Sequence, residues 1–411
     1  METIPRLLKR LNPARFLKSP MGFLSATMFL NFAGLTIIIP VIPYIVERYT
    51  SNVALYVGLI TSVAALCQFL ATPALGYISD RVGRRPVLLW SLVGGVIGYI
   101  IFGIAGSLWM LFLGRIIDGL TGGDTTAMYA YVADITEDKE RARYYGILGA
   151  VAAFGFMTGP LIGGLAARMS LTAPLFVAAG LSLLNAAWGY FVLPESLQEK
   201  DKVQTFKIKH LNPFTQFKHI FNFPALRILF AVIFIFFTGL ILQQSNFSVF
   251  LKDMMHWGPT NIGILLAIVG LVDMLTEGFL IKWLLKFISQ KRIAAWSTII
   301  TALGMLLVAA VVFKTSVILL YAGVVVYTIG DGLFEPATTG LIADVTPSHM
   351  HGRVQGASQS TQSIARCIAP LLAGILYQRA RYLPYLGAAI LILFSLAIQF
   401  FFKPEVKQNF T

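Results

Sequence analysis

Four carboxylates sit where long apolar sequence should exclude them. Asp273 and Glu277 lie four residues apart in the stretch 260–285, and Asp331 and Glu335 repeat that spacing in the stretch 316–342. Residues four apart share one face of a helix, so each pair brings two like charges together in a medium of low dielectric. Repulsion raises the affinity of at least one member for a proton, which is the chemistry of a proton relay. Arg115, Asp118 and Asp124 fall in the stretch 108–133, the first two spaced to pair, and Arg366 falls near the middle of 353–378. An ionised group at such depth costs about 3 kcal/mol or more on insertion scales, so each needs a counter-charge, water or a bound proton. Two readings stand side by side: structural ion pairs, such as Arg366 with Glu335 or Asp331, or proton exchange along a cavity.

The elements that position these groups are set by composition. Of 411 residues, 57% are hydrophobic and 12% charged, with a mean hydropathy of +0.75, which excludes an ordinary soluble domain. Twelve apolar segments are expected as helices, near 22–46, 53–78, 86–106, 108–133, 144–168, 173–193, 225–250, 260–285, 292–313, 316–342, 353–378 and 384–402. Most reach the roughly 20 residues that span a bilayer. The expected fold is therefore an all-α membrane protein of twelve transmembrane helices in two six-helix bundles. The organisation expected is a basic amphipathic lead over 1–20, a first bundle over 21–193, a linker over 194–224, a second bundle over 225–402 and a tail over 403–411.

The net charge of +13 reflects sidedness rather than affinity for nucleic acid. When loops are assigned alternately to two sides, 24 of the 32 Lys and Arg residues fall on one side and 6 on the other. Both termini and the middle loop are thus expected in the cytoplasm. No cleavable signal peptide is expected. Cys67 and Cys367 are mid-span and read as small apolar packers rather than a disulfide.

An internal repeat supports two related halves. Displacing the sequence by 210 residues aligns 131–165 with 341–375 and matches Ala133, Asp134, Thr136, Arg143, Gly146, Pro160, Leu161 and Gly164 with Ala343, Asp344, Thr346, Arg353, Gly356, Pro370, Leu371 and Gly374. The matched spans run in the same direction, so the halves are parallel repeats about an axis along the membrane normal, with a cavity between them.

Two motifs bear on movement. The turn Gly76-Tyr77-Ile78-Ser79-Asp80-Arg81-Val82-Gly83-Arg84-Arg85-Pro86 combines tight-reversal glycines, a helix-starting proline and fixed charge between two spans. The fifth span carries Gly155, Gly159, Pro160, Gly163 and Gly164. Small residues four apart allow close helix approach and Pro160 bends the helix, so the run is either plain packing or a hinge.

The turn resembles the signature loop of the major facilitator superfamily, and the fifth-span run resembles the motif of its exporters. Asn31-Phe32-Ala33-Gly34 with Pro40 and Pro43, Gly114-Arg115-Ile116-Ile117-Asp118-Gly119, Tyr131 to Thr136 and Leu211-Asn212-Pro213 resemble the tetracycline-resistance branch of the drug:proton antiporters. Where that branch carries an acidic residue in its first span, this chain carries Asn31, which holds no proton at physiological pH. The resemblance implies a cavity lined by the first, fourth, seventh and tenth spans. Asp331 and Glu335 are then favoured for proton coupling, with Asp118 and Asp124 as further candidates and Asp273 and Glu277 ranked lower. Asn31, Arg115, Gln243, Gln244, Asn246 and Arg366 are expected to face substrate or water. Gly76, Asp80, Arg81, Gly83, Arg84, Arg85 and Asp134 would form a conformational gate, with Asp80 facing the start of the eleventh helix.

The function expected is proton-coupled export of amphiphilic drugs or related small molecules by a monomer in the bacterial cytoplasmic membrane. An uptake carrier or facilitator for a specific metabolite is the first rival and a non-transporting receptor or scaffold the second. No metal-ligand spacing and no phosphate-binding loop stands in the sequence, so neither a cofactor nor enzyme activity is expected.

Overall fold

The computed structural model describes residues 19–198, 224–346 and 350–402. Apart from residues 19–20 of the lead and residues 194–198 and 224 of the linker, the lead, the linker and the tail lie outside the described residues. Spans one to six are α1 (Pro20–Ile37) with the short α2 (Ile42–Val46), α3 (Val53–Val82), α4 (Arg84–Gly103), α5 (Leu108–Thr121) with α6 (Asp124–Ile135), α7 (Asp138–Ala166) and α8 (Ala173–Val192). Spans seven to twelve are α9 (Pro224–Ser245) with α10 (Phe247–Met255), α11 (Pro259–Leu275), a π-helical turn Thr276–Leu280 and α12 (Ile281–Leu284), then α13 (Gln290–Ala310), α14 (Val317–Val345), α15 (His351–Arg379) and α16 (Leu383–Gln399). Among the described residues, nine helices are long and apolar enough to cross a membrane. The other three spans miss for separate reasons. The fourth is split at Gly122–Gly123, α15 carries a polar run from Gln355 to Arg366, and α16 has 17 residues.

Local chemistry explains the helix ends and the buried hydroxyls. Ser19 accepts from the Gly22 N–H at 3.1 Å and Ser316 from the Leu319 N–H at 3.3 Å, each satisfying a donor that a helix start leaves free. Inside the spans, the hydroxyls of Thr298, Thr301, Thr328 and Thr338 donate to carbonyls four residues earlier at 2.8 Å. Lipid offers no partner, so the helix must supply one.

The two halves repeat one packing scheme. In the first, α1 packs on α7, α4 on α5 and α8, α3 on α5, and α8 on α1. In the second, α9 packs on α15, α13 on α14 and α16, α11 on α14, and α16 on α9. These are the same span pairs shifted by six, which is what a pseudo-twofold relation requires. The seam between halves obeys it too: α3 of the first meets α15 of the second, and α11 of the second meets α7 of the first.

Glycines let those backbones touch. A methyl at Gly58 would lie 2.2 Å from the Pro370 carbonyl oxygen, and one at Gly263 would lie 2.3 Å from the Pro160 carbonyl oxygen. Gly374 meets Ala54 and Leu55, and Gly164 meets Pro259 and Thr260, as the repeat demands. The fifth-span motif divides between two jobs. Gly155, Gly159 and Gly163 face the carbonyls of Phe29, Ala33 and Ile37 in α1 of their own half, whereas Pro160 and Gly164 face the other half.

Polar bonds between the halves gather at the end of the molecule away from the Gly76–Pro86 turn. Tyr44 donates to the Trp257 carbonyl, Lys252 pairs with Glu47, Thr260 donates to the Gly164 carbonyl at 2.8 Å, and the Leu371 N–H donates to Ser62 Oγ at 3.1 Å. Nearer the turn, Gln68 on α3 and Arg366 on α15 are exposed although both lie on seam helices. The halves close at one end and part toward the other. Replacing Gly58 with Val should hold the closed end apart. With Cys67 and Cys367 changed to Ser, oxidative cross-linking of Glu47→Cys to Lys252→Cys should be efficient and should fall several-fold on adding Gly58→Val; an unchanged yield would contradict the seam.

Candidate functional site

The second half gathers the four carboxylates. Asp331 and Glu335 stand one turn apart on α14; Asp273 closes α11 and Glu277 sits in the π turn, both against α14. A methyl at Gly332 would lie 2.8 Å from Asp273 Oδ1, so that carboxylate rests on the α14 backbone, and Oδ1 is buried without a hydrogen-bond partner. The charged neighbours of Asp331 are Asp273, Glu335 and Glu277. Glu335 has Gln362 and Arg366 of α15 beside it. Four carboxylates thus share one guanidinium. Water can solvate the surplus, but only bound protons or a cationic guest can balance it. A π turn within a helix is itself a feature that gathers at functional positions.

The first half holds a smaller, better-balanced site. Arg115 is buried and its Nη1 donates to Asp118 Oδ2 at 2.5 Å, as the three-residue spacing predicts. Asp124 is buried at the start of α6, where the helix dipole favours an anion. Its Oδ1 accepts from Asn31 Nδ2 at 2.9 Å and from the Thr125 N–H at 2.9 Å. Asn31 also reaches Thr125 Oγ1 at 3.3 Å. Asn31, Asp118 and Asp124, with Ser91, Tyr99 and Thr121, border a cavity of about 40 Å³.

The Gly76–Pro86 turn is a network built on Arg84. Arg84 is buried; Nη1 donates to Ser79 Oγ at 2.7 Å and to Asp80, and Nε donates to Asp134 Oδ2 at 3.2 Å. Gly83 has φ of 125°, a conformation only glycine adopts freely, and any side chain there would strike the Glu195 carboxylate. Glu195 Oε1 accepts from the Arg84 N–H at 2.8 Å and Oε2 from the Arg85 N–H at 3.2 Å, which caps α4. Ser196 Oγ donates to Asp134 at 2.9 Å, Tyr131 donates to the Pro194 carbonyl at 2.8 Å and Arg85 donates to the Tyr190 carbonyl at 2.6 Å. The start of the linker is therefore clamped onto the turn.

Sequence comparison decides the family. The family model described as Major Facilitator Superfamily matches residues 24–284 and 242–410. The chain belongs to the major facilitator superfamily. It is 31% identical over 353 residues to the tetracycline resistance protein, class C, of Escherichia coli, covering 85% of this chain and 88% of that one. It is 26% identical over 385 residues to multidrug resistance protein 2 of Bacillus subtilis (strain 168), covering 93% and 94%. The fold is shared with the crystal structure of a bacterial homolog of the human lysosomal transporter Spinster, with a TM-score of 0.76 at 16% identity, covering 94% and 96%. Membership makes the chain a multi-pass membrane transporter of small molecules rather than an enzyme.

Against that superfamily frame, the residues singled out in the sequence fall into three sets. Asp331, Glu335, Asp273 and Glu277 form one cluster with Arg366, where the sequence separated them into two pairs of unequal rank. Asn31, Arg115, Asp118 and Asp124 form the second. Gln243 and Asn246 differ from expectation: both are wholly buried, at the break between α9 and α10, with Gln243 beside Tyr327, and Gln244 alone of the three is exposed. Asp80 bonds to Arg84, its side chain 44% exposed, while residues 347–349 before the eleventh span are not among those described.

Glu195, Ser196, Tyr131 and Ser79 were not read from the sequence. Their signal would have been the Leu193-Pro194-Glu195-Ser196 break that ends the sixth span, since a carboxylate just past a span end can cap a neighbouring helix. Glu195→Ala should cost about 1 kcal/mol, the value of a helix cap, and lower the unfolding midpoint of the purified protein. Asp80→Asn, losing one largely exposed pairing, should shift it far less. Equal shifts would contradict the geometry.

Proposed function

We propose that this chain exports small amphiphilic drugs in exchange for protons, and that Asp331 and Glu335, within the four-carboxylate cluster, couple the two fluxes. The observation that carries the reading is the surplus of carboxylates over guanidinium in a site bordering the crevice between halves. With the crevice open toward the Gly76–Pro86 turn, taken as the cytoplasmic face from the charge asymmetry, released protons leave the cluster anionic and able to hold a cationic or polar substrate. Rocking of the halves would close that face, open the other and let incoming protons displace the cargo, because one set of charges cannot be balanced by both at once. Asp80, Arg84 and Asp134 would act as the cytoplasmic gate, and Gly164 with Pro160 as the seam on which the halves tilt. The same reading places a monomer in the bacterial cytoplasmic membrane with both termini inside, a lead over 1–20, bundles over 21–193 and 225–402, a linker over 194–224 and a tail over 403–411.

Tetracycline and multidrug resistance proteins among the relatives support the drug as cargo, and the small-residue run of the fifth span supports export over uptake. The test uses inverted membrane vesicles and a fluorescent amphiphilic dye. An imposed proton gradient should drive dye into wild-type vesicles, whereas Glu335→Gln and Asp331→Asn should each cut that accumulation about tenfold or more, a loss within the range of coupling energies between sites. Full activity with unaltered pH dependence in both variants would remove the coupling assignment. Gradient-driven movement in the opposite direction would establish an uptake carrier instead.

A further inference from the structure

The cavity of the first half is separate from the carboxylate cluster and has its own charge arithmetic. Its walls come from Leu30 and Asn31 of α1, Ser91 and Tyr99 of α4, Asp118, Thr121, Gly122 and Asp124 around the break of the fourth span, and Ser182 of α8. The titratable and charged groups facing it are Asp118, Asp124, Tyr99 and the adjoining Arg115. Arg115 is committed to Asp118 at 2.5 Å. Asp124 is then one carboxylate without a cation. Its neighbours Asn31 and Thr125 donate hydrogen bonds, which stabilise the charge without cancelling it.

Two further features point to what cancels it. Ser91 is 6% exposed, lines the cavity and has an Oγ with no hydrogen-bond partner, an orphan that is costly unless something binds there. The split of the fourth span brings the C-terminal end of α5, at Thr121 and Gly122, to the cavity wall; the Thr121 and Gly122 carbonyls accept from the Gly123 N–H at 2.9 Å and from Gln68 Nε2 at 3.0 Å, and the negative end of the helix dipole attracts cations. Thr121 spends its hydrogen on the Ile117 carbonyl at 2.9 Å and so offers only oxygen lone pairs. Asn31 turns Nδ2 to Asp124, which leaves its carbonyl oxygen as an acceptor. The available atoms are thus hard oxygens. A volume of about 40 Å³ exceeds the roughly 10–15 Å³ that one water needs but is far below that of a drug-sized pocket. A small ion, with a water beside it, fits both charge and space.

We propose that this cavity binds an alkali cation of the size of Na⁺ against Asp124, with Asn31, Ser91 and Thr121 as further oxygen donors and the negative end of the α5 dipole beside them. Asn31 acquires a reason in this site. An acid at that position would add a second uncompensated charge 3 Å from the first, whereas the amide holds the surplus at one, matching a monovalent ion. Water alone fills the space without neutralising Asp124; a proton neutralises it without using Ser91 or the end of α5.

The test measures radioactive Na⁺ binding to the purified full-length chain in detergent at alkaline pH, where protons compete least. Neither drug nor pH gradient enters, so the outcome is independent of the export reading. A single saturable site is expected, displaced by unlabelled Na⁺ or Li⁺ and not by choline at equal ionic strength. Asp124→Asn should abolish it and Ser91→Ala weaken it about tenfold. Should Asp124→Asn fail to fold, Ser91→Ala and Thr121→Val carry the comparison. Absence of saturable binding in the wild type, or binding that survives Asp124→Asn, would overturn the proposal and leave the cavity to water and a proton.

Discussion

Lipid provides neither counter-charge nor hydrogen bond, and this constraint organises the molecule. Every ionisable side chain in a span must be satisfied by another side chain of the protein, by water in a crevice or by a bound ion. Arg115 with Asp118 is the simplest solution, a pair made within one helix turn. Asp124 uses the start of a broken helix together with an amide from α1. The cluster around Asp331 uses neither, because four carboxylates crowd one guanidinium, and no arrangement of fixed protein charges there reaches neutrality. A site of that kind is stable only in exchange with something mobile, which is why charge surplus, rather than any single residue, carries the functional reading.

Movement of the halves follows from how little separates them. At Gly58 and Gly263 the seam is backbone against backbone. Such a contact is close enough to hold by packing yet lacks the interlocking that would forbid tilt. The inner faces are different. Gly155, Gly159 and Gly163 press α7 onto α1 within one half, so the helix that borders the seam is rigidly held from behind. Of the seam helices, α7 is thereby fastened to its own bundle.

Much of this was legible in the residues. The twelve spans, the doubled halves and the pairing of Arg115 with Asp118 follow from hydropathy, the 210-residue offset and the spacing on a helix. The breaks were not legible. Gly122–Gly123, the π turn at Thr276–Leu280 and the break at Asn246 all lie inside apolar runs of ordinary spanning length, and hydropathy is blind to a backbone that departs from helix without changing composition. The joining of Asp273 and Glu277 to Asp331 and Glu335 was hidden for a related reason. Helical spacing reports neighbours on one helix and says nothing of which face meets which partner; only the packing of α11 on α14, at a glycine that admits a carboxylate, reveals it. Gln243 and Asn246 failed in the opposite sense. Their polarity suggested a cavity wall, whereas both are wholly buried at the break between α9 and α10.

The two halves share a scaffold without sharing chemistry, and the repeat shows how that arises. Asp124 corresponds, at the 210-residue offset, to Phe334, a wholly buried ring stacked on Phe236 at 3.5 Å, and Asp118 corresponds to Thr328. Conversely, Asp331 and Glu335 correspond to Thr121 and Thr125. At these positions charge in one half stands where the other is neutral, and the acids Asp331 and Glu335 of the tenth span fall on hydroxyls of the fourth. Glu335 maps onto the residue next to Asp124 and Asp331 onto a position between Asp118 and Asp124, so the acids of the two halves lie at nearly equal depth and differ in the helix face that carries them. An asymmetric distribution of acids on a symmetric frame is what allows one half to carry a dense carboxylate cluster while the other remains nearly balanced.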